Sequence, residues 1–193
     1  QGDAASAAFY KYSPDRKGAR PQEHLKHYHG FLHADGYAGY EKLYGSGKIT
    51  EVACLAHIRR KFVDIHKANG SPLAEEAITR IAALYAIEKQ IRRQSPEIKK
   101  NVRQEHAKPL FETLQIWLPL QLNKIPAKST LAGAIRYAIT RLKRLAVYLT
   151  DGRLSLDNNP AERCMRPIAL GRKNFLFYGS DKGGDRAAAA YTL

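Results

Sequence analysis

Acidic residues are scarce in this sequence, and so are cysteine, methionine and tryptophan. The 193 residues carry 18 Asp and Glu against 32 Lys and Arg, a formal net charge of +14. An excess that basic, spread along the whole chain, favours a polyanionic partner over none, although a basic soluble protein without one has the same composition. Nucleic acid is preferred to a membrane surface, because no segment sets an apolar face against a polar face made only of Lys and Arg. Two cysteines, Cys54 and Cys164, give no disulfide framework, so a reducing cytoplasm is the expected compartment. No stretch is long enough to span a bilayer. The first residues lack the basic start and apolar run of a signal peptide. They also lack a Met, and the chain is expected to be a fragment.

What remains is ample for a core, since 44% of residues are hydrophobic and 26% charged. Residues 8–12 read as a strand closed by a turn at Ser13-Pro14-Asp15, and 21–28 as a short helix. Phe31-Leu32-His33-Ala34-Asp35 is a short buried strand, broken by Gly36 and followed by helical spacing to Tyr44. Residues 49–56 form the next strand, and 57–66 a helix with Ile58, Phe62 and Ile65 on one stripe. From 70 to 150 strand signal is nearly absent. Helices are expected over 74–93 and 97–108, then a segment with Leu110, Leu114 and Leu118 that Pro109 kinks or divides. The strongest helix is 129–149, with its stripe at Leu131, Ile135, Ile139, Leu142, Ala146 and Leu149. Leu154-Ser155-Leu156 is brief and extended, Asn159 caps the next helix, and Gly183-Gly184-Asp185 caps a last, Ala-rich one. The organisation is α/β over 1–69, all-α over 70–150, and a return to the first unit over 151–193.

Two acids stand out, each with a plain alternative. Asp35 ends a strand, where α/β sheets collect ligand and catalytic groups, yet an Asp before Gly is also an ordinary turn residue. Glu162 falls three residues after Asn159, the spacing of a capping box, and the helix dipole favours an acid there whatever else it does. Arg59, Arg60 and Lys61 either bind phosphate or form a solvated face. Cys54 and His57 have the spacing of half a zinc site, with no second pair to complete it; His66 alone leaves it one ligand short. Trp117 reads as an inter-helix anchor rather than a base-stacking residue.

Phosphodiester chemistry would use such a pattern. Two divalent ions roughly 3.5–4 Å apart activate an attacking oxygen and stabilise a leaving one. Mg²⁺ takes carboxylate oxygens while keeping several waters. Asp35 and Glu162 are the candidate metal-holding catalytic acids. Arg59, Arg60, Lys61, Arg163, Arg166, Arg172 and Lys173 are the candidate DNA-binding cations around them.

Three blocks carry a resemblance. They are His33-Ala34-Asp35-Gly36-Tyr37-Ala38-Gly39-Tyr40, Cys54-Leu55-Ala56-His57-Ile58-Arg59-Arg60-Lys61-Phe62, and the run from Asp157-Asn158-Asn159-Pro160-Ala161-Glu162-Arg163-Cys164-Met165-Arg166-Pro167 to Asn174. Phe177-Tyr178-Gly179-Ser180-Asp181-Lys182-Gly183-Gly184-Asp185 extends the third. In order and over nearly the whole chain, they resemble the insertion sequence 66 family of bacterial DDE transposases. The resemblance implies an RNase H-like core, truncated on its N-terminal side, with an all-α insertion between the second and third acids. Asp35 matches the second acid and Glu162 the third. It also implies Mg²⁺-dependent cleavage and strand transfer of transposon-end and target DNA, with Mn²⁺ as a substitute ion. The partners it implies are further copies of the chain on DNA and accessory proteins encoded by the element. The family's first Asp lies in an Asp-Glu-Thr motif that nothing here matches, neither Asp3 nor Asp15, so this piece is expected to be inactive alone. The competing readings are a non-catalytic basic module that binds nucleic acid and, more remotely, an RNase H-type nuclease.

Overall fold

The computed structural model describes residues 7–171 and 179–192. It is a mixed α/β structure, mostly helical. Two short parallel strands, β1 (Gly30–His33) and β2 (Ile49–Val52), pair with Gly30 opposite Ile49 and His33 opposite Val52. Parallel neighbours need a crossover. Here a 3₁₀ turn (Ala38–Tyr40) and the one-turn helix α2 (Glu41–Tyr44) supply it. A short helix α1 (Ala19–His24) precedes β1, two residues earlier than its sequence signal and ending sooner.

β2 stops at Val52, before the end of its apolar run, because α3 (Leu55–Asn69) begins at Leu55 rather than at His57. Leu55, Ile58, Phe62 and Ile65 are the buried stripe of α3. The helix ends at Gly70, whose φ of +65° supplies the left-handed cap and whose N–H donates to the His66 carbonyl. Three helices of the next block then start on a serine. Ser71 Oγ accepts from Ala74 N at 3.3 Å to open α4 (Pro72–Ile91), with Pro72 at the first position. Ser95 does the same for α5 (Pro96–Val102), and Ser129 for α7 (Thr130–Leu145). Between α5 and α6 (Lys108–Leu122) the backbone widens into a π turn, Arg103–Ala107, so that Pro109 sits in the first turn of α6. A 3₁₀ turn, Ala146–Leu149, follows α7.

One core runs through these elements. Val52, Phe62, Leu84, Phe111, Leu114, Ile135, Leu142 and Leu156 belong to the same buried cluster. Trp117 packs against it half-buried, with the Arg80 guanidinium 4.8 Å from its ring centroid, which ties α6 to α4. The buried Arg103 is held because its donors are matched: Glu88 accepts at 2.7 and 2.8 Å, and the carbonyls of Tyr148 and Asp151 at 3.1 Å. No helix among the described residues is long and apolar enough to cross a membrane.

Some expectations are corrected. Residues 8–12 are not a strand, although Phe9, Tyr10 and Tyr12 give the segment a strand's propensity. A strand needs a ladder, and the bonds this segment makes to the last helix all involve a side chain on at least one partner instead. It lies against α10 (Asp181–Thr192): Tyr10 N donates to Thr192 Oγ1 at 3.1 Å and Tyr12 Oη to Asp181 at 2.9 Å. Gly184 sits within α10 rather than capping it, where an added Cβ would lie 2.4 Å from the Tyr12 ring. Ser180 is the cap, its Oγ accepting from Gly183 N at 3.2 Å. Leu154-Ser155-Leu156 pairs in no ladder. Phe177 and Tyr178 of the last motif block lie outside the described residues.

Candidate active site at the carboxyl end of the strands

Asp35 follows β1 by two residues, where Ala34 N still donates to the Val52 carbonyl at 3.1 Å. Its carboxylate is exposed and accepts the Tyr37 N–H at 3.1 Å, the turn geometry open to any Asp before Gly. The turn is also held from above by α7. Tyr137 Oη donates to the Asp35 carbonyl at 3.3 Å, and Arg141 Nη2 to the Gly36 carbonyl at 3.3 Å. Gly36 is required here: its φ is +87°, and a Cβ would lie 2.6 Å from the Arg141 guanidinium. Arg141 is itself fixed by the buried Glu51 of β2 at 3.0 Å, and Arg144 pairs with both Glu51 and Glu41. Burial pushes the Tyr137 hydroxyl pKa up, so it stays a protonated donor.

Glu162 reaches the same end of the strands by another route. The stretch before its helix is stitched to the strand ends and the start of α3. His33 Nε2 lies 2.7 Å from the Ser155 carbonyl, Leu55 N donates to the Leu156 carbonyl at 3.1 Å, and Asn158 N to Cys54 Sγ at 3.4 Å. Asp157 closes the loop, accepting from Asn159 N at 3.1 Å, Asn159 Nδ2 at 2.7 Å and Tyr85 Oη at 3.1 Å. Helix α8 (Asn159–Cys164) then carries Glu162, and α9 (Arg166–Gly171) follows with Pro167 in its first turn. The cap position belongs to Asn158, not Asn159, and its side chain makes no capping bond. Glu162 does not reach back in a capping box. Its exposed carboxylate lies 3.4 Å from His57 Nε2 on the first turn of α3, and His57 Nδ1 is buried without a partner.

The Asp35 turn is linked to α7, and α7 to the helix α3 that meets Glu162. The Tyr137 hydroxyl meets the Asp35 carbonyl, and Lys61 lies 5.6 Å from the Tyr137 ring centroid. Lys61 is one turn of α3 beyond His57, which meets Glu162. Among the described residues no group of three or more His, Cys, Asp or Glu gathers as a metal site. Cys54 is buried and accepts the Asn158 N–H, and burial pushes its thiol pKa up; its partner for zinc, His57, turns to Glu162 instead. Asp15 is committed to its own turn, where Arg20 at 3.3 Å and the Lys17 N–H hold its carboxyl below the usual range.

Arg59, Arg60 and Lys61 are all exposed on α3, and Arg163 and Arg166 on α8 and α9. Arg172 and Lys173 lie outside the described residues. Sequence reasoning missed Glu51, Tyr137 and Arg141. The one local signal was the i, i+4 pairing of Tyr137 with Arg141 beside the apolar stripe of α7.

The model of the IS66 transposase family matches residues 1–186. The uncharacterized protein y4hP of Sinorhizobium fredii is 40% identical over 208 residues, covering 100% of this chain and 38% of its own length. The uncharacterized protein y4jD of the same organism is 37% identical over 199 residues, covering 100% of this chain and 39% of its own length. The chain thus spans about two-fifths of the length of these relatives. No solved structure matches it. With its three motif blocks lying inside the matched residues, the chain belongs to the IS66 transposase family.

Proposed function

We propose that this chain is part of the catalytic domain of a DDE-type DNA transposase, with Asp35 and Glu162 as two of its three metal-holding acids. The observation that supports this reading is the pinning of 155–158, the stretch just before the Glu162 helix, to His33 at the end of β1 and to Cys54 and Leu55 after β2. The strand pair is then a piece of an RNase H-like core, and 70–150 the insertion between the second and third acids. Asp15, engaged by Arg20 and the Lys17 N–H, does not serve as the remaining acid in this reading.

The donor set fits Mg²⁺ or Mn²⁺ held in an open site. Asp35 and Glu162 are exposed carboxylates, hard oxygen donors of the kind Mg²⁺ takes in ones and twos while keeping water and substrate phosphate as other ligands. When bound, such ions supply charge neutralisation and an activated oxygen nucleophile for phosphodiester cleavage and strand transfer. The chain's own residues orient the acids. Tyr137 and Arg141 fix the backbone of the Asp35 turn, and His57 holds one side of Glu162. Arg59, Arg60, Lys61, Arg163 and Arg166 face solvent nearby and would neutralise transposon-end and target DNA. Such a protein would act as an oligomer on DNA in the bacterial cytoplasm, with element-encoded accessory proteins.

The test is strand transfer by the full-length protein in Mg²⁺ or Mn²⁺. Asp35→Asn and Glu162→Gln should each lower the rate more than roughly 100-fold, beyond the usual effect of losing an outer-shell partner. The chain alone should show none. Wild-type rates in either variant would overturn the assignment, and salt-dependent DNA binding with no metal response would leave a binding module in its place.

A further inference from the structure

Two grooves meet beside the Glu162 helix and make one trough. The first runs along α3, with Arg59, Arg60 and Lys67 in its lining. The second runs along the end of α4 and onto α5, with Lys89, Arg92 and Lys99 in its lining and Arg163 of α8 at its side. Tyr85 and Asn159 line both, so the two are continuous. None of these seven cations makes an ion pair among the described residues. The carboxylates in the lining are fewer, and Glu88 is taken by Arg103.

We propose that this trough holds the phosphate backbone of a DNA strand next to the site of cleavage, so that α4 and α5 are a DNA-contacting surface. The partner follows from the spacing. Arg60 and Lys67 stand two turns apart on α3, about 10 Å along its axis, and Lys89, Arg92 and Lys99 follow one another from the end of α4 onto α5 on the other wall. Cations strung along both walls fit a chain of anions better than one small ligand, and they repel one another until a polyanion neutralises them. The trough also ends on the helix that presents Glu162, which an acidic peptide would have no reason to approach. The proposal rests on the reading of this protein as acting on DNA. It adds residues of the helical block that no motif singled out.

Binding of the full chain to a fluorescein-labelled DNA duplex, followed by anisotropy in EDTA over a salt series, tests it. The variant Lys89→Gln/Arg92→Gln/Lys99→Gln should bind at least tenfold more weakly. Its plot of log affinity against log salt should be shallower by about two to three, at about 0.9 per lost phosphate contact. The single change Arg92→Gln should take away about one. Lys124→Gln/Lys128→Gln/Lys143→Gln, which removes the same charge outside the trough, should weaken binding by no more than about threefold and shift the slope by less than about one. Equal losses in the two triple variants, or an unchanged slope in the first, would overturn the trough. Because no metal or turnover is involved, this assay reads the trough apart from catalysis. Failure of the catalytic reading is seen only in strand transfer.

Discussion

His33 closes β1 with its Nε2 2.7 Å from the Ser155 carbonyl, and its Nδ1 buried with no acceptor. The neutral ring donates through Nε2 and leaves Nδ1 bare, whereas a protonated ring would bury an N–H with nothing to receive it. Burial is the larger influence and holds the His33 pKa below its ordinary value of 6.5, against the opposing pull of the Ser155 carbonyl and Asp157. The sign of the linkage follows. An unfolded chain binds this proton more readily than the folded one, so stability is complete above about 6.5 and declines as pH falls towards the depressed folded value. Thermal unfolding followed from pH 8 to pH 5 should show Tm dropping in the wild type. His33→Gln keeps a donor for Ser155 but cannot titrate, and its Tm should drop less over the same range. Parallel curves would show that His33 does not carry the effect. At this scale the candidate site was half legible. Asp35 and Glu162 were marked by their positions. Their supporting contacts were not, because His57 and Tyr137 lie far along the chain from the acids they hold.

Between elements, the join of β2 to α7 does most to fix the Asp35 turn. Glu51 points from the strand into Arg141 and Arg144, and Arg141 continues to the Gly36 carbonyl. Glu51 is only 7% exposed, so its charge is tolerable because two guanidiniums meet it. Glu51→Leu should destabilise the fold by about 1–3 kcal/mol, since it leaves the half-buried Arg141 without its carboxylate. Adding Arg141→Leu should recover part of that loss, because removing both partners leaves no orphan. Urea unfolding of the two variants checks this, and a double variant weaker than the single one would refute the pairing. Local periodicity read the helices here well, as in α3 and α7, whose apolar stripes need nothing but their own sequence. It failed at 8–12, where Phe9, Tyr10 and Tyr12 carry strand propensity but no ladder partner exists to use it. It failed again at the π turn before Pro109, since a widened turn has no composition of its own.

For the whole molecule, the three stretches read from the sequence do not coincide with separate cores. The buried cluster runs from Val52 of β2 through α3, α4, α6 and α7 to Leu156, so residues on both sides of positions 70 and 150 share it. The helical stretch over 70–150 is continuous in packing with its flanks, which periodicity cannot reveal, because each helix stripe is silent about what it faces. Continuous packing predicts cooperative melting. Trp117 is the chain's one tryptophan and sits in the helical block, so its fluorescence reports that block, whereas amide exchange at Val52 and Phe62 reports the strand end and α3. In urea, both signals and the far-ultraviolet circular dichroism should change at one midpoint. Leu142→Ala on α7 removes a fully buried side chain and should cost about 2–5 kcal/mol, moving all the signals together. If Trp117 melts apart from Val52 and Phe62, or if Leu142→Ala shifts the helical block alone, the block is a separate unit. The contacts from α7 to the Asp35 turn would then not be part of one rigid site.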